Sequence, residues 1–188
     1  NQIYKGAKMS DTVTLTDNRN GKSYDFPILH GTMGPDVIDI STFFSDTGMF
    51  TFDRGYTSTA MCRSAITYID GLKGELMYRG YDIAYLAENK TFLDVAYLLL
   101  NKELPTSEQY RGFKDELKKR SFIHEGMMKL FDAFPDKAHP MAILQAAVSA
   151  LSAFYSDHLN MDKPEEYHEM AMRIIAKIPT IAAFSYRF

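Results

Sequence analysis

The stretch HPMAILQAAVSALSAFYSD, residues 139–157, decides the fold. From Met141 to Tyr155 it carries no charge, and its polar residues are Gln145, Ser149 and Ser152. His139 followed by Pro140 suits a helix start, because proline fits a first turn where no N–H is needed. Placing successive residues about 100° apart gathers Gln145, Ser149, Ser152 and Ser156 into one narrow polar seam. Ala142, Ala146, Ala150 and Ala153 form a small face; Met141, Ile143, Leu144, Ala147, Val148, Leu151 and Phe154 form a bulky one. A small face lets another helix approach closely. Burying the six large side chains of the bulky face contributes roughly 9–18 kcal/mol. Ordering the segment costs as much or more. Such a helix needs neighbours on more than one side, as a central helix or at a subunit interface. Its apolar run spans roughly 22 Å, short of the ~20 residues a membrane crossing requires.

Outward from this helix, the rest of the chain fits a soluble, largely helical protein. Its 188 residues make one domain or a domain with an appendage, and 46% are apolar, enough for a core. Charge is balanced at −3, which favours neither nucleic acid nor an anionic membrane as partner. Cys62 is the only cysteine, so no intrachain disulfide and no cysteine-rich metal site can form; this fits the cytoplasm. No apolar stretch follows the charges of NQIYKGAKMSD as in a signal peptide. Met9 reads as a natural start, with residues 1–8 as a tag or extension.

Residues 9–55 read as a strand-rich arm. TVTLT (12–16) alternates, SYDFPILHG (23–31) follows, and Asn20-Gly21 between them suits a turn with positive φ. DVIDI (36–40) and MFTFD (49–53) are further short strands, and AITYIDGLKGELMYRGY (65–81) reads as a hairpin. From about residue 82 the period turns helical. Helices are expected in DIAYLAE (82–88), TFLDVAYLLLN (91–101), TSEQYRGFKDELKKR (106–120), HEGMMKLFDAF (124–134), 139–155 and PEEYHEMAMRIIAKI (164–178). Thr91 with Asp94 and Thr106 with Gln109 supply caps. PTIAAFSYRF (179–188) reads as the start of another helix, cut in mid-segment.

Local motifs for chemistry fail on inspection. NGKS (20–23) lacks the earlier glycine of a phosphate loop, because Thr16 stands in its place. HEGMM (124–128) and HEMAM (168–172) put Met where a zinc-binding H-E-x-x-H needs its second histidine. His30, His139 and His158 are isolated, and His139 belongs to a helix start. Lys118, Lys119 and Arg120 suit the C-terminal end of a helix dipole.

Four segments taken together carry a resemblance: ITYIDGLKGELMYRGYDIAYLAE (66–88), LLLNKELPTSEQ (98–109), HPMAILQAAVSALSAFY (139–155) and KIPTIAAFSYRF (177–188). In order, they resemble the N-terminal part of citrate synthase. HGTMGPDVIDIS and GMFTFDRGYTST resemble the bacterial hexameric type. The resemblance implies a mainly α fold, with residues 56–188 as the first part of a helical large domain. It implies an enzyme of the tricarboxylic acid cycle that joins the acetyl group of acetyl-CoA to oxaloacetate. It also implies a homodimer or hexamer, with the helix at 139–155 in the dimer interface.

The family's catalytic Asp and two His belong to later segments, and its His-Gly-Gly-Ala-Asn stretch has no counterpart here. No catalytic residue is therefore assigned in this chain, no metal is implied, and the chain alone is expected to be inactive. The bacterial type is inhibited by NADH at an allosteric site. Its positions match Lys119, Arg120, Ser121, Phe122, Tyr155, Arg173 and Lys177. Cations would meet phosphates there and an aromatic ring a base. Members under strong NADH control tend to carry Arg-His-Thr where this chain has Lys119, Arg120 and Ser121. A plain Glu169–Arg173 surface pair is the structural alternative. Two other functional readings compete: a 2-methylcitrate synthase acting on propionyl-CoA, and a non-catalytic helical module for dimerisation or nucleotide sensing.

Overall fold

A computed structural model describes residues 11–156, 160 and 162–187. The proposed tag at residues 1–8 and His158 lie outside the described residues. The chain divides into two compact units between Tyr85 and Leu86.

The first unit is built from short antiparallel sheets. β1 (Thr12–Asp17) pairs with β2 (Lys22–Leu29), and β2 with β3 (Val37–Ile38). The expected turn forms at Asn20-Gly21, with Gly21 at φ 72°. Asp17 holds it: its carboxylate accepts from the Arg19 backbone N–H at 3.0 Å and from Arg19 Nε at 2.9 Å. Those bonds from Arg19 hold the Asp17 pKa down at about 2. Phe26, 2% exposed, stacks on Phe43 of a short helix, α1 (Phe43–Thr47), at 5.3 Å between ring centroids. The hairpin expected at 65–81 is β4 (Thr67–Asp70) with β5 (Glu75–Tyr78), extended by β6 (Tyr81–Asp82).

The expected strand at 49–53 does not form. Asp53 draws the following chain back onto itself, accepting from the Thr57 and Ser58 N–H groups and from the Thr59 hydroxyl at 2.6 Å. Gly55 and Tyr56 at positive φ complete the reversal. The aromatic alternation in the sequence signalled a strand, but the carboxylate's local bonds override it.

His30 Nδ1 lies 2.7 Å from Asp36 and Nε2 lies 3.1 Å from Asp11. Only the imidazolium donates from both nitrogens, so Asp36 first, and Asp11 second, raise its pKa above the ordinary 6.5. The resulting stabilisation is complete below the unfolded value and is lost as pH rises through the folded one. The cluster is half exposed, so the effect on stability is small. An NMR titration of His30 is expected to give a midpoint above 6.5, moving back toward that value in Asp36→Asn.

The second unit is helical. α2 (Ile83–Asn89) leads into it. α3 (Phe92–Asn101) and α4 (Ser107–Arg120) each begin with the expected capping box. Segment 124–134 divides into a 3₁₀ turn, Glu125–Met127, and α5 (Met128–Asp132). His124 Nδ1 accepts from the Gly126 N–H at 3.0 Å and so caps that turn. α6 (Pro140–Phe154) is the opening stretch, and His139 Nδ1 caps it by accepting from the Met141 N–H at 3.2 Å. Both histidines are structural caps.

α7 (Pro164–Arg187) runs unbroken through Pro179, where the sequence suggested two helices. Proline removes one helical hydrogen bond, but Pro179 sits on the exposed side. The buried stripe of Met172, Ala176, Ile181 and Ser185 continues in phase past it, and that packing outweighs the lost bond.

Among the described residues, two apolar clusters hold this unit. Met127, Phe131, Ile143, Ala147, Leu151 and Ile181 join α5, α6 and α7. Phe113, Leu117, Met172 and Ala176 join α4 to α7, with Tyr97 edge-on against Phe113 at 5.3 Å. Within the chain, α6 buries only Ile143, Ala147 and Leu151. Its polar seam stays exposed, together with Met141, Ala142 and Ala153. A shallow groove runs along Leu144, Gln145 and Val148. Cover on more than one side, which the sequence demanded of this helix, is thus only half supplied by the described residues.

Candidate functional site

Most of the basic residues singled out from the sequence come together where the end of α4 crosses α7. The crossing follows from packing: Phe113 and Leu117 on α4 bury against Met172 and Ala176 on α7. This brings Arg120, the last residue of α4, beside Glu169, 49 positions later in the chain. Arg120 Nε donates to the Glu169 carboxylate at 3.0 Å and its Nη2 at 2.9 Å, a bidentate pair. Arg173, one turn after Glu169, donates from Nε at 2.9 Å to Oε1, the oxygen that also accepts from Arg120 Nε. Arg120 also pairs with Glu116 on its own helix. Glu169 therefore joins two guanidiniums from different helices. Arg120 first, then Arg173, hold its pKa below the usual carboxylate range against the opposing effect of burial.

Lys177 lies one turn further along α7 and is 3% exposed. A buried ammonium must be hydrogen-bonded to be tolerated. Its Nζ donates to the backbone oxygens of Arg120, at 2.8 Å, and Phe122. The first is a carbonyl with no intrahelical partner at the end of α4, where a cation also complements the helix dipole, and the second lies two residues beyond that end. Thr180 adds a bond to the Ser121 carbonyl at 2.8 Å. The Tyr155 ring, just past the end of α6, lies 4.4 Å from Lys177 Nζ and 5.4 Å from the Arg173 guanidinium carbon. Both cations thus face the negative surface of one ring.

Beside this ring is a cleft of about 100 Å³, lined by Val148 and Leu151 of α6, Met170 and Ile174 of α7, and the Tyr155, Arg173 and Lys177 side chains. Ligand pockets usually measure roughly 300–1,000 Å³, so this one holds a single ring or a phosphate end.

Arg120, Tyr155, Arg173 and Lys177 are joined, and Ser121 and Phe122 contribute backbone oxygens. Two side chains remain apart: Lys119 pairs with Glu116 at 2.6 Å, and the Phe122 ring is 81% exposed. Sequence reasoning saw the Glu169–Arg173 spacing but missed Glu169 as the link to Arg120. Only the helix crossing reveals that. Among the described residues no group of three or more His, Cys, Asp or Glu is placed to hold a metal. No described helix is long and apolar enough to cross a membrane.

Comparison with known proteins gives this arrangement its context. The family described as citrate synthase, C-terminal domain, matches residues 55–188. The chain belongs to the citrate synthase family. It is 49% identical over 177 residues to citrate synthase of Helicobacter pylori, covering 94% of this chain and 42% of that protein. The chain thus spans about two-fifths of that relative's length. The crystal structure of citrate synthase from Thermotoga maritima matches 73% of this chain, and 35% of its own, at a TM-score of 0.62 and 29% identity. That from Pyrobaculum aerophilum matches 86% of this chain and 38% of its own, at 0.60 and 29%. The citrate synthase of Thermoplasma acidophilum, solved with carboxymethyl coenzyme A and oxaloacetate, covers 73% of this chain and 36% of its own, at 0.63 and 26% identity. The resemblance noted in the sequence and the mainly helical architecture agree with these relatives.

Proposed function

We propose that the protein carrying this chain is a citrate synthase, forming citrate and CoA from acetyl-CoA, oxaloacetate and water as the entry step of the tricarboxylic acid cycle. The observation that carries this reading is the 49% identity to a citrate synthase, sustained over 94% of this chain. No residue of this chain is assigned to the chemistry. Its part is to build helices that support a site completed by other segments. The half-covered α6 supports a homodimer or hexamer in which a second copy packs on this helix. A lone, exposed, free Cys62 is in keeping with the cytoplasm.

At the crossing of α4 and α7 we propose an allosteric site for NADH. The apolar cleft beside Tyr155 would seat one ring of the dinucleotide, and the guanidiniums of Arg120 and Arg173 would meet its phosphates. The remainder of the ligand would lie along the surface near Lys119, Ser121 and Phe122.

The test compares acetyl-CoA with propionyl-CoA as substrate for the whole protein, and then titrates NADH. A preference for acetyl-CoA is expected; faster turnover of propionyl-CoA would make it a 2-methylcitrate synthase. The 188-residue chain alone is expected to form no citrate. NADH is expected to inhibit the whole protein. Arg173→Ala, which removes a charge-assisted contact, should weaken that inhibition about tenfold or more. Absence of any NADH effect on the wild type would refute the regulatory reading while leaving the enzyme intact.

A further inference from the structure

The basic cluster is already occupied by an anion of its own. We propose that Glu169 is a built-in competitor at this site: a phosphate group reaches Arg120 and Arg173 by displacing the Glu169 carboxylate. The inference rests on the nucleotide reading above and names how that site is regulated.

The geometry carries it. A carboxylate and a phosphate make the same demand on a guanidinium, two parallel N–H···O bonds on one edge. Glu169 takes the Nε and Nη2 edge of Arg120 and the Nε of Arg173. Those are the donors a nucleotide phosphate would use. The Lys177 ammonium makes no comparable offer, since it donates to the Arg120 and Phe122 carbonyls and covers Tyr155. The anion's access to charge thus runs through the two guanidiniums that Glu169 holds.

Displacement is physically open. The Glu169, Arg120 and Arg173 side chains are 23%, 26% and 18% exposed, so the carboxylate can turn to water without crossing a packed core. The arrangement also has a structural consequence. Glu169 ties the end of α4 to α7, beside the bonds from Lys177 and Thr180, and its release removes that tie. Phosphate binding and loosening of that crossing then become one event. Apparent affinity is reduced by the fraction of time Glu169 occupies the site.

The experiment measures NADH binding to the whole protein by calorimetry, for the wild type, Glu169→Gln and Glu169→Asp, with inorganic pyrophosphate as competitor. Glu169→Gln keeps the shape and removes the charge; it is expected to bind NADH about tenfold more tightly. Glu169→Asp keeps the charge but is one methylene too short to bridge both guanidiniums, and should fall between. Pyrophosphate should compete with NADH more strongly in Glu169→Gln than in the wild type. Tighter binding in the variants supports the proposal, including the case where the wild type shows none. A wild type that binds NADH while Glu169→Gln binds equally or less well overturns the competitor and leaves the nucleotide site standing. No binding in any of the three overturns both. Should Glu169→Gln fail to fold, Glu169→Asp decides: tighter than wild type supports, equal or weaker refutes.

Discussion

Replacing Phe131 with alanine is expected to destabilise the helical unit by about 3–5 kcal/mol. Phe131 is 2% exposed at the centre of the cluster formed by Met127, Ile143, Ala147, Leu151 and Ile181. Its ring stacks on Phe184 at 5.4 Å. Truncation removes the transfer free energy of a whole ring and leaves a cavity between three helices, which cannot close fully because α6 and α7 are also pinned elsewhere. A loss of this size is a large share of the ~5–15 kcal/mol that holds a domain folded. Urea denaturation should show the midpoint shifted down with its slope unchanged. A shift below about 1 kcal/mol would mean that this cluster is not the core of the unit.

Lys177→Met is expected to cost about 2–3 kcal/mol, although it keeps the length and apolar stem of the side chain. What it removes is the ammonium that satisfies the Arg120 and Phe122 carbonyls at the end of α4. Those acceptors would then face an apolar group, and the cation over the Tyr155 ring would be gone. Lys119→Met is the informative comparison. Its side chain is 69% exposed and paired with Glu116 on one face of a helix, so its removal should change stability by less than about 1 kcal/mol. If the two substitutions cost the same, Lys177 is not the brace its position indicates. The same reasoning separates two effects at the nucleotide site: loss of NADH binding in Lys177→Met includes loss of the scaffold, whereas loss in Arg173→Ala reports mainly the missing contact.

Local chemistry was legible in the sequence wherever the deciding partners are close along the chain. The capping boxes at Thr91 and Thr106, the left-handed Gly21 and the His139 cap are all settled within a few residues. The failures share a cause. Met49 to Asp53 alternates like a strand, yet the Asp53 carboxylate finds five-atom company in Thr57, Ser58 and Thr59 and turns the chain. Pro179 reads as a break, but the stripe through Ile181 and Ser185 keeps the helix whole.

The same division holds at the candidate site. Spacing alone paired Glu169 with Arg173. That Lys177 spends its charge on carbonyls, and that Arg120 shares Glu169, depends on contacts 57 and 49 residues apart.

The sequence by itself determined that this protein is mainly helical, where most helices of the second unit begin, and that α6 is too apolar for one wet side. These follow from periodicity and caps, which act over one or two turns. Only the tertiary structure decided that one carboxylate binds two arginines, and that a lysine braces the end of a distant helix. Only it decided how much of α6 this chain covers. Those outcomes depend on which helix faces cross, and a crossing is fixed by side-chain packing between segments far apart in the chain.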